Sequence, residues 1–334
     1  MKLLDVTLRD GGYQNNFAFS ATQASEVVGG LKAAGIEWIE VGYRNGSLKA
    51  HPGAGESYYT SNDYIAQIRA DHPDAKLVVM VHPQHVDFDD IQDLANLGVS
   101  AVRVCFNPKL SEKSVALIRA IRSAGMLATV NLTRVTYLTE ADLLSFAKAC
   151  DDVNVDVIYL ADSNGHMIPA EVFDLVIRLR AEVRAEIGFH AHNNLSLALA
   201  NSIEALRAGA TWIDSSLHGL GRGAGNLSTE GMVAYLKRTR QNSSFKWVKL
   251  LEFTDQWNQK NNDILGAGSS RELFYGVSNF SADFQRPLEE ASQKEGFSVY
   301  EIGNQLAGLR LSKPESAFFD IAVGALKKQS GVYS

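Results

Sequence analysis

Eight times before about residue 240, a short β-rich run gives way to an amphipathic stretch, and this limits the chain to folds in which crossover helices join parallel strands. Eight such units are the number that closes a (β/α)8 barrel. The strands are expected at 3–8, 36–42, 76–82, 100–105, 126–132, 156–161, 187–192 and 211–216; several are unbroken apolar runs, as strands covered on both faces require. Segments 21–34, 111–124, 140–150 and 195–208 carry helical periodicity, and Gly35, Gly98, Gly125 and Gly209 stand where helices stop. After Arg240 the strands cease. Trp247, Trp257, the turn Gly266-Ala267-Gly268-Ser269-Ser270 and the stretch from Leu288 to Leu309 then read as helices joined without strands. The expected fold is therefore an α/β TIM barrel over 1–240, which would carry the catalysis, with a C-terminal helical appendage over 241–334 packed on or near it.

A hydrophobic fraction of 46% against 21% charged residues suits a globular chain with a sizeable core. The formal charge of −6, with no run of basic residues, argues against nucleic acid and anionic membranes and leaves a small molecule as the expected ligand. Cys105 and Cys150 each lie in an apolar segment and are expected to be buried, reduced thiols, which points to the cytoplasm. The N-terminus enters a strand without a signal-like apolar core, and no window approaches a membrane span.

In such a barrel, polar residues at the C-terminal ends of strands carry the chemistry. Strand one ends in Thr7-Leu8-Arg9-Asp10-Gly11-Gly12-Tyr13, an arginine and an aspartate at a glycine turn that a ligand can approach closely. Taken alone this could be an ion pair capping a turn. Strand seven ends in His190-Ala191-His192-Asn193-Asn194; side chains two apart on a strand share a face, with Cα atoms about 6.6 Å apart, so both imidazoles can reach one ion. Only strand eight separates strands one and seven in a closed barrel, so Asp10 can complete the set. Two imidazoles and one carboxylate with open positions suit Mn²⁺, Mg²⁺, Co²⁺, Zn²⁺ or Fe²⁺, of which Mn²⁺ or Mg²⁺ is expected. An ion so held could polarise the carbonyl of a 2-oxo acid, with Arg9 neutralising the same oxygen.

Other positions are open to two readings. Glu40, ending strand two, could orient a water or a substrate hydroxyl, or be the buried partner of a barrel arginine such as Arg103. Asn131 and Thr133, ending strand five, could hold a substrate carboxylate or cap a loop. Asp162-Ser163-Asn164-Gly165-His166 is a turn as easily as a site, and His82 and His85, flanking Pro83, are a base or merely exposed. The run from Gly219 to Asn226 contains a G-x-G-x-x-A fingerprint, but it follows strand eight rather than strand one and no acidic residue lies near position 245, which argues against a nucleotide fold.

Taken together, Thr7-Leu8-Arg9-Asp10-Gly11, His190-Ala191-His192-Asn193 and the glycine loop ending in Gly225-Asn226 resemble the pyruvate-carboxylate-lyase (DRE-TIM metallolyase) family over residues 3 to 240. The resemblance implies that Asp10, His190 and His192 bind a divalent metal, that Asn226 matches a further ligand, and that Arg9 meets an enolate oxygen. The loop, the length and the tail Tyr275-Gly276-Val277-Ser278-Asn279-Phe280 are most similar to the pyruvate-releasing aldolases of the 4-hydroxy-2-oxovalerate type, in which the residue matching Thr133 helps bind the pyruvate carboxylate. The loop has no cysteine, unlike that of the hydroxymethylglutaryl-CoA lyases. The Glu-Gln that usually follows Arg-Asp-Gly in the acyl-CoA-dependent synthases is also missing, although Claisen chemistry stays an alternative. Tyr13 stands where those aldolases have a catalytic histidine, and Ser278 where they have a tyrosine. A tyrosine hydroxyl, ordinarily of pKa about 10, donates a hydrogen bond better than it accepts a proton, so the proton relay is expected to differ. The chain is thus expected to cleave a 4-hydroxy-2-oxo acid as a homo-oligomer, with a dehydrogenase partner left open; a barrel that keeps the metal for sensing or scaffolding is the contrary reading.

Overall fold

The computed structural model describes residues 1–49, 51–239, 241, 244–261, 278–307, 309, 311 and 313–329. Eight parallel strands close into a barrel in sequence order: β1 (Lys2–Asp5), β2 (Trp38–Arg44), β3 (Lys76–Val81), β4 (Ala101–Cys105), β5 (Leu127–Leu132), β6 (Val157–Asp162), β7 (Glu186–Ala191) and β8 (Trp212–Ser215), with β8 pairing back onto β1. Helices surround them, started by local chemistry. Ser20 and Asp87 form capping boxes, and Pro169 opens the helix Pro169–Glu182, where its missing N–H costs nothing.

The two-residue period of the strands sorts the interior into layers. Leu4, Trp38, Val78, Ala101, Leu127, Val157 and Trp212 pack as an apolar layer. Two residues further along those strands the period brings in Glu40, Arg103, Tyr159 and Asp214, and His190 joins them from β7, so a charged layer lies directly on the apolar one. Gly188 makes room for it: a Cβ there would sit 2.3 Å from the Tyr159 ring, which lies across the barrel with the Arg103 guanidinium 3.7 Å from its centroid.

Two strands end more than one residue away from the expected position. β1 stops at Asp5, not at residue 8, because Asp5 Oδ1 accepts the Thr7 N–H at 3.0 Å and the Arg9 and Asp10 N–H groups both turn back to the Val6 carbonyl. β2 runs on past residue 42 through a bulge between Glu40 and Tyr43. At the bulge Gly42 has φ +149°, and a Cβ would meet the Ser57 carbonyl at 2.0 Å. The extra residue pairs Tyr43, rather than Gly42, with Met80 and re-aims it into the barrel mouth.

Beyond the strands, the helix Trp247–Lys260 buries Leu250 and Trp257 in the barrel's own core. The helices Gln285–Glu295, Val299–Leu306 and Ser316–Gln329 instead share a separate core built on Phe280, Phe284, Leu288, Ile302, Leu306 and Phe319. The change of core therefore falls after that first helix rather than at residue 240. The glycine-serine turn at 266–270 and Tyr275 lie outside the described residues. Cys105 and Cys150 are free and buried, and burial pushes their thiols up to about 11 and about 12, so neither is a reactive thiolate at neutral pH. No helix among the described residues is long and apolar enough to cross a membrane.

Candidate active site

The charged layer floors a cavity of about 530 Å³ on the face where the strands end. Asp10, His190 and His192 meet on this floor, all buried, with their ligand atoms within 4.8 Å of one another. The two imidazoles stand at 87° with centroids 5.0 Å apart, and His192 Nε2 is 4.0 Å from Asp10 Oδ2. Each ring is oriented through its other nitrogen: His190 Nδ1 donates to Asp214 Oδ2 at 2.8 Å, and His192 Nδ1 donates to the Gly225 carbonyl at 3.1 Å. Those acceptors fix the tautomer, leaving both Nε2 lone pairs free for a ligand. Burial holds His192 down to about 3, so it is neutral at physiological pH. Burial alone would raise the Asp10 carboxyl, but Arg9, His192 and His190 hold it well below the usual carboxylate range. Two imidazoles with their Nδ1 atoms already engaged and an ionised carboxylate fit a divalent ion, and no thiolate is offered that would make a structural zinc site.

A continuous chain of charge supports this group. Arg9 Nη1 bonds Asp10 Oδ1 at 2.5 Å and Arg9 Nε bonds Glu40 Oε2 at 2.6 Å. Arg103 Nη1 reaches Glu40 at 3.3 Å, and Arg103 Nη2 bonds Asp214 Oδ2 at 2.7 Å, returning to His190. Two guanidiniums (Arg9, Arg103) against three carboxylates (Asp10, Glu40, Asp214) leave one negative charge in a dry interior, which a cation would relieve. Arg9 Nη2 is buried and has no partner among the described residues, on a side chain that lines the cavity.

Of the residues singled out from sequence, Arg9, Asp10, Tyr13, Asn131, Thr133, His82, His190 and His192 line this one cavity. Glu40, Asn226 and His85 are not in its lining. Glu40 is enclosed between Arg9 and Arg103, the buried-partner alternative of its two readings. Asn226 pairs with His192 through an isolated antiparallel bridge and lines a smaller cavity with His218 and Gly219. Its Nδ2 donates to the Leu220 carbonyl at 2.8 Å while Oδ1 is buried without a partner among the described residues, an orphan acceptor of the kind a ligand would satisfy. The glycine loop is shaped for this packing: a Cβ on Gly221 would meet Asn226 Nδ2 at 2.4 Å, and Gly225 has φ +85°. His85 turns its Nδ1 to the Gly46 carbonyl at 3.3 Å. Asp162 ends β6 and ties the following turn, accepting the N–H groups of His166 and Met167. Ser278 follows the undescribed stretch, and the neighbouring Asn279 docks on the barrel through Thr136, Tyr137 and Asn164.

On the upper wall the Tyr13 hydroxyl bonds Ser47 Oγ at 2.9 Å and the Tyr43 hydroxyl at 3.3 Å. Tyr43 stacks on His82, ring centroids 5.5 Å apart, and His51 stands edge-on to Tyr13 at 5.5 Å. Burial, with His85 and Arg9 nearby, holds His82 down to about 3. His51 is lowered as well, by burial and by Lys49. Asn131 Oδ1 is buried and has no partner among the described residues. Sequence reasoning passed over Asp214, although the signal was present: Phe189 pairs with Ile213, so the next residues along, His190 and Asp214, are neighbours on one inward face. It also passed over Tyr43, which only the bulge brings inward, and His51, Lys49, Arg134, Arg222 and Asp283, which reach the cavity from loops.

The model of the family described as HMGL-like matches residues 1–256. An oxaloacetate decarboxylase of Mycobacterium tuberculosis is 30% identical over 312 residues, 91% of this chain and 90% of that protein. A 4-hydroxy-2-oxovalerate aldolase of Geobacillus genomosp. 3 is 33% identical over 307 residues, 90% of each. Among solved structures, the N-terminal domain of a candidate aldolase from Bacteroides vulgatus superposes with a TM-score of 0.75 at 26% identity, covering 87% of this chain and 97% of that one. The HMG-CoA lyase of Bacillus subtilis, at 22% identity and a TM-score of 0.66, covers 81% of this chain and 96% of that one and shares the fold.

Proposed function

The chain belongs to the HMGL-like family, whose members matched here are lyases, and from that premise we propose that it is a divalent-metal-dependent aldolase releasing pyruvate from a 4-hydroxy-2-oxo acid. The observation that carries this reading is the convergence of Asp10, His190 and His192 beside Arg9, whose Nη2 has no partner among the described residues, on the floor of one cavity. Asp10, His190 and His192 would hold the ion, with Asn226 Oδ1 the further donor; Mn²⁺ or Mg²⁺ is the ion we expect. When bound, it supplies Lewis acidity to the 2-oxo group of the substrate.

The protein's own groups account for the rest. Arg9 Nη2 donates to the oxygen on C2 as charge builds there, and Asn131 and Thr133 take the C1 carboxylate. Breaking the C3–C4 bond requires loss of the 4-hydroxyl proton; the electrons pass into the C2–C3 enol system, and C3 is later protonated to give pyruvate. Tyr13, tethered to Ser47 and Tyr43, is placed to hold the 4-oxygen by hydrogen bonding. Two neutral imidazoles share that wall; His82 at about 3 is a poor base, so His51, the more accessible and set against Tyr13, is the proton acceptor we assign. The buried, unpaired cysteines suit the cytoplasmic setting we also propose.

The experiment is a panel of 4-hydroxy-2-oxo acids and oxaloacetate with Mn²⁺ or Mg²⁺, pyruvate being followed by coupling to lactate dehydrogenase. Metal-dependent pyruvate release is expected. No pyruvate from any of them, with free thiol appearing from acetyl-CoA plus a 2-oxo acid, would replace the aldolase by a synthase. Metal binding with no turnover of either kind would leave a sensing or scaffold role.

A further inference from the structure

The mouth of the cavity carries charge that the cleavage chemistry on the floor does not use. Lys49, Arg134 and Arg222 line it together with a single carboxylate, Asp283, contributed by the turn Ala282–Phe284 of the C-terminal helical segment. Lys49 and Arg134 both bond that carboxylate, Arg134 Nη2 to Oδ2 at 3.3 Å. Arg222 has no side-chain carboxylate partner among the described residues; its Nη2 donates to the Ser163 carbonyl at 3.1 Å, and its backbone N–H reaches Asp10 Oδ2 at 3.3 Å. Three cations against one carboxylate leave two positive charges facing the cavity. Arg222 meets Asp10 on the floor through its backbone N–H and lines the same cavity as Asp283, so the cationic group runs from the floor to the mouth.

Resting on the aldolase reading, we propose that Lys49, Arg134 and Arg222 form a second anion site that receives a carboxylate on the far end of the substrate. The enzyme's substrate class is then the 4-hydroxy-2-oxo diacids, cleaved to pyruvate and an aldehyde that itself bears a carboxylate. Asp283 shows what the site accepts, since a carboxylate of this chain already occupies it. The exchange requires little of the fold. Phe284 is fully buried in the helical core and Asn279 is bonded to the barrel, so the segment stays anchored on both sides when the Asp283 side chain is displaced. Guanidinium groups suit a planar carboxylate through paired N–H donors, and two of the three cations are arginines. The remaining mouth residues, among them Leu48, Ala282 and Gln285, offer no competing negative charge.

The test compares 4-hydroxy-2-oxohexanedioate with 4-hydroxy-2-oxopentanoate, which differ in the terminal carboxymethyl or methyl group on C4. In the diacid the C3–C4 bond breaks, the 4-hydroxyl proton leaves, C3 gains a proton, and the products are pyruvate and 3-oxopropanoate. The wild type is expected to have a kcat/KM at least tenfold higher on the diacid. Arg134→Gln combined with Arg222→Gln should reduce that ratio at least tenfold, and Asp283→Asn should lower KM for the diacid by removing the resident competitor. A wild-type ratio at or below one, or an equal loss on both substrates in the double variant, overturns the proposal. If neither compound yields pyruvate, the aldolase reading is judged separately on the rest of the panel, and calorimetric titration of the Mn²⁺-loaded protein with glutarate and butyrate decides the anion site. Tighter binding of glutarate that is lost in the double variant upholds the site; glutarate binding indifferent to the two arginines removes it.

Discussion

The floor and the mouth of the cavity are both charged, yet they are built on opposite terms. On the floor, Arg9, Asp10, Glu40, Arg103, Asp214 and His190 are almost wholly removed from solvent, and every one touches another member of the chain. At the mouth, the Lys49 side chain is 68% exposed and Arg134 31%, and the carboxylate they share, Asp283, comes from outside the barrel. Buried charge tolerates no missing partner, whereas exposed charge is screened and exchanges partners at little cost. The floor can therefore fix geometry for one chemical step, and the mouth can decide which molecules arrive there.

The largest effect separating the two regions should come from the ligands themselves. His190→Ala is expected to abolish both metal retention and pyruvate release, by at least 10³-fold, read by metal analysis of the purified protein alongside the coupled assay. Activity equal to wild type without bound metal would mean that the floor is not a metal site. Next is Asp214→Asn, which takes the charge from the acceptor that orients His190 and also weakens the hold on Arg103. Metal affinity should fall about 10–100-fold, with activity recovering at high Mn²⁺, as expected for a group acting through a ligand. Failure of excess metal to restore any activity would point instead to collapse of the charged chain.

Which parts of this were legible in the sequence follows from how local each cause is. The barrel was legible because eight repeats of one pattern reinforce each other, and the Asp10, His190 and His192 set because strand period and closure order bring three known positions together. Glu40 was legible only as a choice between two readings, since burial between Arg9 and Arg103 depends on the tilt of strands that no local pattern reports. Tyr43 was not legible: a one-residue bulge at Gly42 reverses which side chains face inward, and its signal is a lone glycine in a strand. The mouth was the least legible, because Lys49, Arg134, Arg222 and Asp283 come from separate loops whose approach is set by tertiary packing.

A smaller effect tests the wall between floor and mouth. Tyr13→Phe keeps the ring contacts with Phe17 and His51 but removes the hydroxyl bonded to Ser47 and Tyr43. With Tyr13 as a hydrogen-bond donor, kcat should fall about tenfold while the acidic limb of the pH profile, which we assign to His51, stays in place. Movement of that limb in Tyr13→Phe, or its persistence in His51→Ala, would reassign the base.

The smallest expected effect asks whether cations, rather than burial, set the charge of the floor. Asp10 and Asp214 are as buried as Asp5, yet arginine and histidine partners hold both carboxyls down, while Asp5 receives only hydrogen bonds from Thr7 and Thr229 and is pushed up to about 7, chiefly by burial. A folded-state pKa above the unfolded value of about 3.9 means that the native state binds the extra proton between these limits. The associated stability is complete below pH 4 and is lost as pH rises through 7. The full shift corresponds to a loss on the order of 2–4 kcal/mol at pH 8. Asp5→Asn can still accept the Thr7 N–H through Oδ1, and Thr229 Oγ1 keeps Ser215 Oγ at 2.8 Å. The variant should therefore gain stability over wild type at pH 8 and none at pH 4, as measured by urea unfolding at both. A difference between the two proteins that does not change with pH would show that Asp5 is ionised throughout, and that burial on the floor is weaker than its neighbours' charges imply.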